Sequence, residues 1–274
     1  MQNPLVSVIV PTFNHGKFIA QTLDGILMQK TNFAFEILVG DDASTDNNAE
    51  IIANYQQRFP QIVKAFLHPK NLGPKEPREL GGKNNVAFLF KQAKASYIAL
   101  CEGDDYWTNE NKLQIQIDFL EQNAEYALCH HQMEVVYEDG SESTLFNTEN
   151  QADTSTLEYL LSDESWILGT ASTVFRNTIQ GNFPEWWMKS ASGDLGIFIL
   201  VTQFGKIKYL PQIMGAYRKH RGGMTNIHTP QNKIFLQNRM EMFENLKSYF
   251  NHKYDSILNK TVERFEKELA DLKI

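Results

Sequence analysis

Cysteine is scarce in this sequence. The chain of 274 residues has two cysteines, Cys101 and Cys129, and they form no Cys-x-x-Cys pair. Neither a zinc knuckle nor a dithiol redox motif is therefore predicted. Both cysteines fall in apolar runs, and buried reduced thiols are typical of a cytoplasmic protein.

Long apolar segments are missing as well. No run approaches the roughly 20 apolar residues that a membrane-spanning helix needs. The first residues also lack the basic region, apolar core and cleavage site of a secretory signal. We therefore predict a soluble, cytoplasmic protein, and peripheral contact with the inner membrane is left open.

Positive charge is in the minority. The sequence has 26 Lys and Arg against 33 Asp and Glu, which gives a formal net charge of −7. A general nucleic-acid binder presents a basic face, so no nucleic-acid partner is predicted. Segment 60–94 is an exception, with seven basic and two acidic residues. That excess would suit a diphosphate or an anionic acceptor, although most of these side chains are expected on solvated faces.

The sequence also lacks the glycine patterns of two enzyme classes that use nucleotides. No Gly-x-Gly-x-x-Gly follows a predicted strand, which disfavours a dinucleotide-dependent dehydrogenase. A nucleotidyltransferase that makes nucleotide sugars would need a glycine-rich, arginine-bearing loop after the first strand. Residues 11–16 read Pro-Thr-Phe-Asn-His-Gly instead.

The first half of the chain alternates between strand-like and helix-like patterns. Strands are predicted near 5–10, 35–40, 62–67 and 97–101, and helices near 16–30, 46–59, 83–94 and 110–123. Repeated strand–helix units predict an α/β fold, with a mostly parallel sheet and helices on both faces. The loop 70–82 is longer than a simple connection needs, which is typical of functional loops.

The pattern changes after residue 124. The predicted elements are one or two strands within 126–137, a hairpin turn at 138–141, a polar loop over 142–153, a short helix over 156–161, a strand over 171–176, an apolar helix over 194–204, and strands over 206–209 and 212–217. From 229 onward the chain is predicted to be one helix, with an apolar stripe from Leu236 to Leu272.

Three carboxylates within four positions follow the strand at 97–101. Like charges this close repel and raise one another's pKa values, so packing alone does not explain Glu102-Gly103-Asp104-Asp105. A divalent cation would explain it, since Mg²⁺ and Mn²⁺ prefer oxygen ligands and often keep one or two protein carboxylates. A turn in which Asp104 or Asp105 caps the next helix explains these residues equally well.

Three motifs together resemble one enzyme family. Each of them stands at the end of a predicted strand: Val6–Asn14, Phe35–Asp46 and Glu102–Trp107. In this order they resemble the inverting family 2 glycosyltransferases, which have the GT-A (Rossmann-like) fold. The resemblance extends from about Val6 to Arg221.

The resemblance implies a domain division. A GT-A catalytic domain would cover 1–228, with a nucleotide-binding half over about 1–124 and an acceptor-facing half over about 125–228. An amphipathic helical tail would follow over 229–274.

The resemblance also implies an activity. A sugar would move from a nucleotide sugar, with a uridine diphosphate (UDP) sugar favoured, to a hydroxyl of a glycan or lipid-linked acceptor. The transfer would invert the anomeric carbon and use Mg²⁺ or Mn²⁺, in a setting of bacterial surface-polysaccharide synthesis. A non-catalytic nucleotide-sugar-binding protein with the same fold and a nucleotidyltransferase are the alternatives.

The same resemblance assigns residues to the donor. The loop after the first strand would contact the nucleotide through Pro11, Thr12, Phe13 and Asn14. Asp42, with Asp41 as second choice, would accept a hydrogen bond from the pyrimidine ring. The other implied donor contacts are Lys83, Asn85, Glu102, Gly103, Asp105 and Arg218.

The chain departs from the family pattern at the two places that carry the chemistry. The common Asp-x-Asp motif is Glu102-Gly103-Asp104 here. Asp104 keeps the position of the metal ligand, and Glu102 would contact the ribose or a metal-bound water. His220, in a segment similar to the family's Tyr-Arg-x-His, would ligate the metal or contact phosphate, and the metal is the favoured role. The family's acidic pair is Gly193-Asp194 here, so Asp194 would be the catalytic base; as an ordinary residue it would cap a helix.

The apolar stripe of the tail must be covered in a soluble protein. From residue 229 onward there are eight basic and seven acidic residues. Helices that lie on membranes usually have a strongly basic polar face, so a protein cover is predicted. A homodimer through the C-terminal helices is slightly favoured over docking onto the catalytic domain.

Overall fold

A computed structural model describes residues 3–73, 80–164, 166–226 and 229–272. Its strands are β1 Val6–Thr12, β2 Phe35–Asp41, β3 Val63–Leu67, β4 Tyr97–Leu100, β5 Tyr106–Trp107, β6 Tyr126–Tyr137, β7 Thr144–Leu145, β8 Thr154–Ser155, β9 Val174–Arg176 and β10 Lys206–Lys219. Its helices are α1 Ile19–Leu27, α2 Asn48–Arg58, α3 Lys83–Gln92, α4 Lys112–Gln122, α5 Leu157–Ser162, α6 Glu185–Lys189, α7 Gly193–Thr202, α8 Lys233–Tyr249 and α9 Asp255–Asp271. Much of the loop predicted at 70–82, residues 74–79, lies outside the described residues.

The strands of the described part form one sheet. Its order is β3-β2-β1-β4-β9-β6-β10-β5, with β7 beside β6 and β8 beside β10. The strands β3, β2, β1 and β4 are parallel, whereas β9 runs antiparallel to both β4 and β6. The predicted α/β class, with a mainly parallel first half, is confirmed.

Side chains on the two faces of the sheet build two hydrophobic cores. Val8 of β1 packs in one cluster with Ile19 and Leu23 of α1, while its neighbour Ile9 packs in the other cluster with Leu89 of α3. Successive residues of a strand point to opposite faces, so one apolar strand serves both cores. Helices α1, α2 and α4 cover the first face, and α3, α5, α6, α7 and the tail cover the second.

The carboxyl ends of β1, β2 and β4 lie side by side. The backbone N–H of Gly103 donates to Pro11 O at 3.1 Å, and that of Asp42 donates to Thr12 O at 3.0 Å. Ligands of open α/β sheets bind outside the carboxyl ends of the strands. The predicted motifs are therefore gathered at the edge of the sheet where a site is expected.

The second half of the chain differs from the predicted elements. β10 is one strand with register shifts near its middle, where two strands were predicted. The turn at 138–141 leads into β7, so a short strand lies within the predicted loop over 142–153. Residues 170–172 form a 3₁₀ turn, which shortens the predicted strand over 171–176 to β9. The two-residue β5 was not predicted because so short a segment shows no periodicity.

The tail folds as two helices, so the prediction of a single helix is wrong. Asn251 and His252, between α8 and α9, have φ angles of 50° and 63°. Residues in this left-handed region do not continue a right-handed helix. The break lets α9 pack back against α8.

The apolar stripe of the tail is buried by the chain itself. Leu236, Phe243 and Leu246 of α8 and Leu258 and Phe265 of α9 belong to the core cluster on the second face of the sheet. The prediction placed a dimer slightly ahead of docking onto the catalytic domain, and the structure shows docking. The stripe therefore gives no reason to invoke a second subunit.

In the described part of the chain, no helix combines the length and apolar character needed to cross a membrane.

A lysine is buried within the fold. Lys112, in α4, is 0% exposed, donates to Gln116 Oε1 at 2.7 Å and has its Nζ 4.0 Å from the centre of the Trp107 ring. Burial lowers the pKa of Lys112 to about 7.

We expect Lys112→Met to reduce the rise of the unfolding free energy with pH between pH 7 and 9. Over this range the lysine keeps its proton in the unfolded chain and loses it in the folded chain. Because the unfolded state then binds more protons, this lysine makes stability rise by up to about 1.4 kcal/mol per pH unit. Urea unfolding at several pH values measures the slope, with Lys267→Met at an exposed position as the control. A slope unchanged in Lys112→Met would show that the buried lysine keeps its charge.

Candidate functional site

Two histidines and a carboxylate meet beside the ends of β1 and β4. His220 Nε2 lies 2.9 Å from Asp104 Oδ2, and His15 Nε2 lies 3.6 Å from the same oxygen. One nitrogen or oxygen from each of the three residues lies within 4.8 Å of the others. We call His15, Asp104 and His220 the His–Asp–His cluster. Asp104 and His220 were the predicted metal ligands, and the structure brings them together.

Burial and mutual charge set the protonation of this cluster. Burial raises the pKa of Asp104, but the hydrogen bond to His220 and the charge of His15 outweigh it, and the pKa of Asp104 ends below its usual value. Burial lowers the pKa of His15, against the opposing charge of Asp104. An ionised carboxylate beside a neutral imidazole is the form that binds a metal.

Gly103 lets the end of β4 approach the loop after β1. A Cβ at Gly103 would lie 2.4 Å from Thr12 Oγ1 and 3.0 Å from His15 Nδ1, closer than such atoms pack. The Thr22 hydroxyl lies 3.0 Å from Gly103 O and 2.6 Å from Asp105 O. Gly103 therefore permits the close approach, and Thr22 holds the turn that carries Asp104.

Asp105 faces the protein interior. It is buried, its Oδ1 accepts from the Arg218 N–H at 2.8 Å, and burial raises the pKa of Asp105. Arg218 Nε also donates to Asp104 O at 2.8 Å. Asp105 and Arg218, both predicted to contact the donor, therefore also have a structural role. They tie β10 to the turn at 104–105 and so fix the position of His220.

Glu102 has an unsatisfied oxygen. Its Oε2 is buried and has no hydrogen-bond partner among the described residues. Burial, followed by the charge of Asp104, raises the pKa of Glu102 to about 8. This upward shift of the pKa favours the protonated carboxyl group, which can donate a hydrogen bond. This form suits contact with a hydroxyl or a water.

Asp194 lies in the first turn of α7, near two other ionisable groups. Its charge influences the pKa values of both Glu102 and Lys83. Lys83 Nζ donates to Trp187 O at 2.7 Å, and burial lowers the pKa of Lys83 to about 7 against the opposing charge of Asp194. Asp194 Oδ1 itself accepts from the Leu195 N–H at 2.8 Å.

Asp41 and Asp42 are both buried and both have protein partners. Asp41 accepts from Asn48 Nδ2 at 2.6 Å and so shapes the turn before α2. Asp42 accepts from Asn71 Nδ2 at 3.0 Å and from the Leu72 N–H at 2.7 Å. Asp42 therefore holds the start of the loop at 71–72 beside the end of β2.

Asn85 has its partners inside the protein. It is 1% exposed, its Nδ2 donates to Gly40 O at 2.7 Å, and its Oδ1 lies 3.2 Å from His68 Nε2. Asn85 was predicted to contact the donor, and that contact stays a prediction. In the structure its side chain fixes the end of β2, against which α3 packs directly.

The loop after β1 exposes one aromatic ring. Asn14 has a φ of 56°, its N–H donates to Ser44 Oγ at 2.8 Å, and its Oδ1 accepts from the Thr45 N–H at 2.8 Å. Thr12 is buried, whereas Phe13 is 43% exposed. A fixed loop with an exposed ring offers a surface on which a nucleotide base can stack.

Two features of the site were not predicted from the sequence: His15, and the proximity of Lys83 to Asp194. A single histidine in a loop forms no recognisable pattern. The feature that could have pointed to His15 is its position in the chain. It lies three residues after the end of β1, and the neighbouring strand β4 is followed by carboxylates. Lys83 and Asp194 are far apart in sequence, and only the packing of α3 near the start of α7 brings them together.

Comparison with known proteins identifies the family. The model of the family "Glycosyl transferase family 2" matches residues 7–176. An uncharacterized protein of Mycobacterium tuberculosis (strain H37Rv) is 30% identical over 234 residues, which cover 85% of this chain and 64% of that protein. An uncharacterized glycosyltransferase of Nostoc sp. is 26% identical over 222 residues, which cover 78% of this chain and 65% of that protein. The chain spans somewhat less than two thirds of the length of these relatives.

Solved structures share the fold. Residues 1–349 of TarS from S. aureus, in complex with UDP-GlcNAc, align with a TM-score of 0.67 and 22% identity over 98% of this chain and 72% of that one. The mannosyltransferase PcManGT from Pyrobaculum calidifontis, in complex with GDP-Man and Mn²⁺, aligns with a TM-score of 0.63 and 15% identity over 100% of this chain and 74% of that one. The family match covers more than half of the chain, and this chain therefore belongs to glycosyl transferase family 2.

Proposed function

We propose that this chain is a glycosyltransferase that moves a sugar from a UDP sugar to an acceptor hydroxyl, with inversion. The observation that carries the proposal is the His–Asp–His cluster at the carboxyl ends of the parallel strands, with Asp194 close enough to the neighbouring Glu102 for its charge to raise the pKa of that carboxyl group. Such a transfer needs a group that stabilises the leaving diphosphate and a base that activates the acceptor. Membership of the family supports the same reading.

The cluster has a donor set that fits a divalent cation. Asp104 offers a carboxylate oxygen and His220 an imidazole nitrogen, only 2.9 Å apart. A divalent cation bound there, Mg²⁺ or Mn²⁺, would neutralise the charge that builds on the leaving diphosphate. The Mn²⁺ in the PcManGT complex supports a metal by analogy of fold.

Asp194 is the proposed catalytic base. It takes the proton of the acceptor hydroxyl as the acceptor oxygen bonds to the anomeric carbon. The bond between that carbon and the diphosphate oxygen breaks on the opposite face, which inverts the carbon. The acceptor would be a glycan or a lipid-linked glycan at the cytoplasmic side of a membrane, as expected for bacterial surface polysaccharides.

Phe13 and Asp42 would recognise the nucleotide. The exposed Phe13 ring would lie against the base or ribose, and Asp42 would accept the ring N–H of uracil. The UDP-GlcNAc in the TarS complex supports a uridine nucleotide by analogy of fold.

Asp42→Ala is expected to weaken UDP binding by about 1–3 kcal/mol, because the uracil N–H then loses its buried partner. Calorimetry with UDP measures the change, and Asp118→Ala at an exposed aspartate is the control. Pyrophosphate, which lacks the base, should bind both variants as it binds the wild type. An equal loss for pyrophosphate would reassign Asp42 to supporting the loop at 71–72.

The tail holds the segment before the proposed base. Asn238 Oδ1, in α8, accepts from the Ala191 N–H, and Arg239 NH1 donates to Ser192 Oγ at 2.7 Å. These contacts fix the backbone two to three residues before Asp194. The tail therefore helps to hold the segment that leads into the proposed base.

We expect Asn238→Ala to lower kcat by roughly 10- to 100-fold with little change in donor affinity. A small displacement of a catalytic group can cost this much. Steady-state kinetics and calorimetry with UDP separate the two effects, and Asn245→Ala on the exposed side of α8 is the matched control. A kcat equal to that of the control would show that the base is positioned without the tail.

A donor screen tests the proposed function. Panels of UDP and GDP sugars with Mn²⁺ or Mg²⁺ are incubated with the protein, and mass spectrometry follows release of the nucleoside diphosphate. We expect UDP to be released from at least one UDP sugar. A panel in which no donor is consumed would favour a non-catalytic binding protein.

A further inference from the structure

We propose that His15 is a third protein ligand of the metal, and that the resulting site prefers Mn²⁺ to Mg²⁺. This inference rests on the proposed function, since the metal concerned is the one that would bind the donor diphosphate. It adds a ligand that the sequence motifs did not contain.

The geometry of the cluster carries the proposal. His15 Nε2 and His220 Nε2 lie 3.6 and 2.9 Å from the same oxygen, Asp104 Oδ2. Metal–ligand bonds of about 2.0–2.1 Å place neighbouring ligand atoms of an octahedral ion about 3 Å apart. Both nitrogens therefore stand near the separation from Asp104 Oδ2 that one ion requires, and one ligand atom from each of the three residues lies within 4.8 Å of the others.

The backbone of His15 is anchored, whereas its ring nitrogen Nδ1 has no hydrogen-bond partner in the described part of the chain. His15 O accepts from the N–H groups of Phe18 and Ile19, both at 2.8 Å, which anchors its backbone to the start of α1. Its ring lies edge-on to that of His220, with centres 6.0 Å apart. Its Nδ1 is buried and has no hydrogen-bond partner among the described residues. Its Nε2 lies 3.6 Å from Asp104 Oδ2, longer than a hydrogen bond, and a metal bond at Nε2 would give the ring a strong partner that this contact does not supply.

The donor set predicts the choice of ion. Mg²⁺ prefers oxygen ligands and keeps several waters, whereas imidazole nitrogen suits first-row transition ions. Two imidazoles and one carboxylate would hold the ion and would leave room around it for the donor diphosphate and water. With His15 the site has two nitrogen ligands, and without it only one. Removal of His15 should therefore weaken Mn²⁺ more than Mg²⁺.

The experiment compares metal binding by the wild type, His15→Asn, His15→Ala and Asp104→Asn, with the exposed His252→Ala as the control. Electron paramagnetic resonance titration gives the Kd of Mn²⁺ with and without UDP, and competition gives the Kd of Mg²⁺. We expect both His15 variants to raise the Kd of Mn²⁺ by at least about tenfold. Even residues that only support a metal ligand typically cost about 10- to 100-fold in metal affinity when they are replaced. The Mg²⁺ constant should change less.

Pulsed resonance spectra of bound Mn²⁺ provide a readout that does not depend on the variants folding. Two histidine nitrogens coupled to Mn²⁺ in the wild type support the proposal, and one overturns it.

If the His15 variants bind Mn²⁺ like the wild type while Asp104→Asn does not, the metal site of the proposed function stands and His15 is not a ligand. If the wild type binds no Mn²⁺ even with UDP, the metal fails in both proposals.

Discussion

Asp194→Asn should lower turnover by roughly 10²–10⁴, the usual loss when a general base is removed. Asparagine has nearly the same shape and can still accept from the Leu195 N–H, as Asp194 does at 2.8 Å. It cannot take a proton from the acceptor. The change therefore separates the chemical role of the carboxylate from its role in the first turn of α7.

Steady-state kinetics with the donor found by screening measure this loss, and calorimetry checks that UDP binds as before. Glu185→Gln, a neutralised carboxylate at an exposed position, is the control. A large loss of donor affinity with little change in kcat would mean that Asp194 supports the fold and that another group is the base.

Asp104→Ala should abolish metal-dependent turnover, a loss of at least about 10³-fold, because several kcal/mol of stabilisation of the leaving group depend on the bound cation. Asp104 is the residue that both histidines of the cluster approach, so its removal takes away their shared partner. Turnover with and without a chelator measures the dependence, and Asp118→Ala is the control. Full activity of the wild type in excess chelator would refute the role of the metal.

Much of the fold could be predicted because its information is local. The apolar run of β1 and the polar loop that follows it mark a strand end in the sequence itself. Parallel pairing then brings such ends together, as in the bond between Gly103 N–H and Pro11 O. The sequence could therefore place Asp104 and the loop at 11–14 at one edge without any knowledge of the packing.

What the sequence could not provide depends on contacts between distant segments. The break at Asn251 and His252 has no glycine or proline to mark it. Asparagine and histidine enter the left-handed region more often than most residues, but they also occur within helices, so their presence alone does not mark a break. The inward direction of Asp105 depends on its bond to the Arg218 N–H, more than 100 residues away. The internal role of Asn85 depends in the same way on Gly40 O.

The most direct test of the account is the configuration of the first product. Proton NMR can follow the anomeric signals while the wild type consumes its UDP sugar with Mn²⁺, with water or a glycan as acceptor. We expect an α-linked donor to give the β anomer first, and we expect Asp194→Asn to give almost no β anomer in the same time. An α anomer as the first product, or turnover in Asp194→Asn equal to that of the wild type, would contradict single displacement with Asp194 as the base.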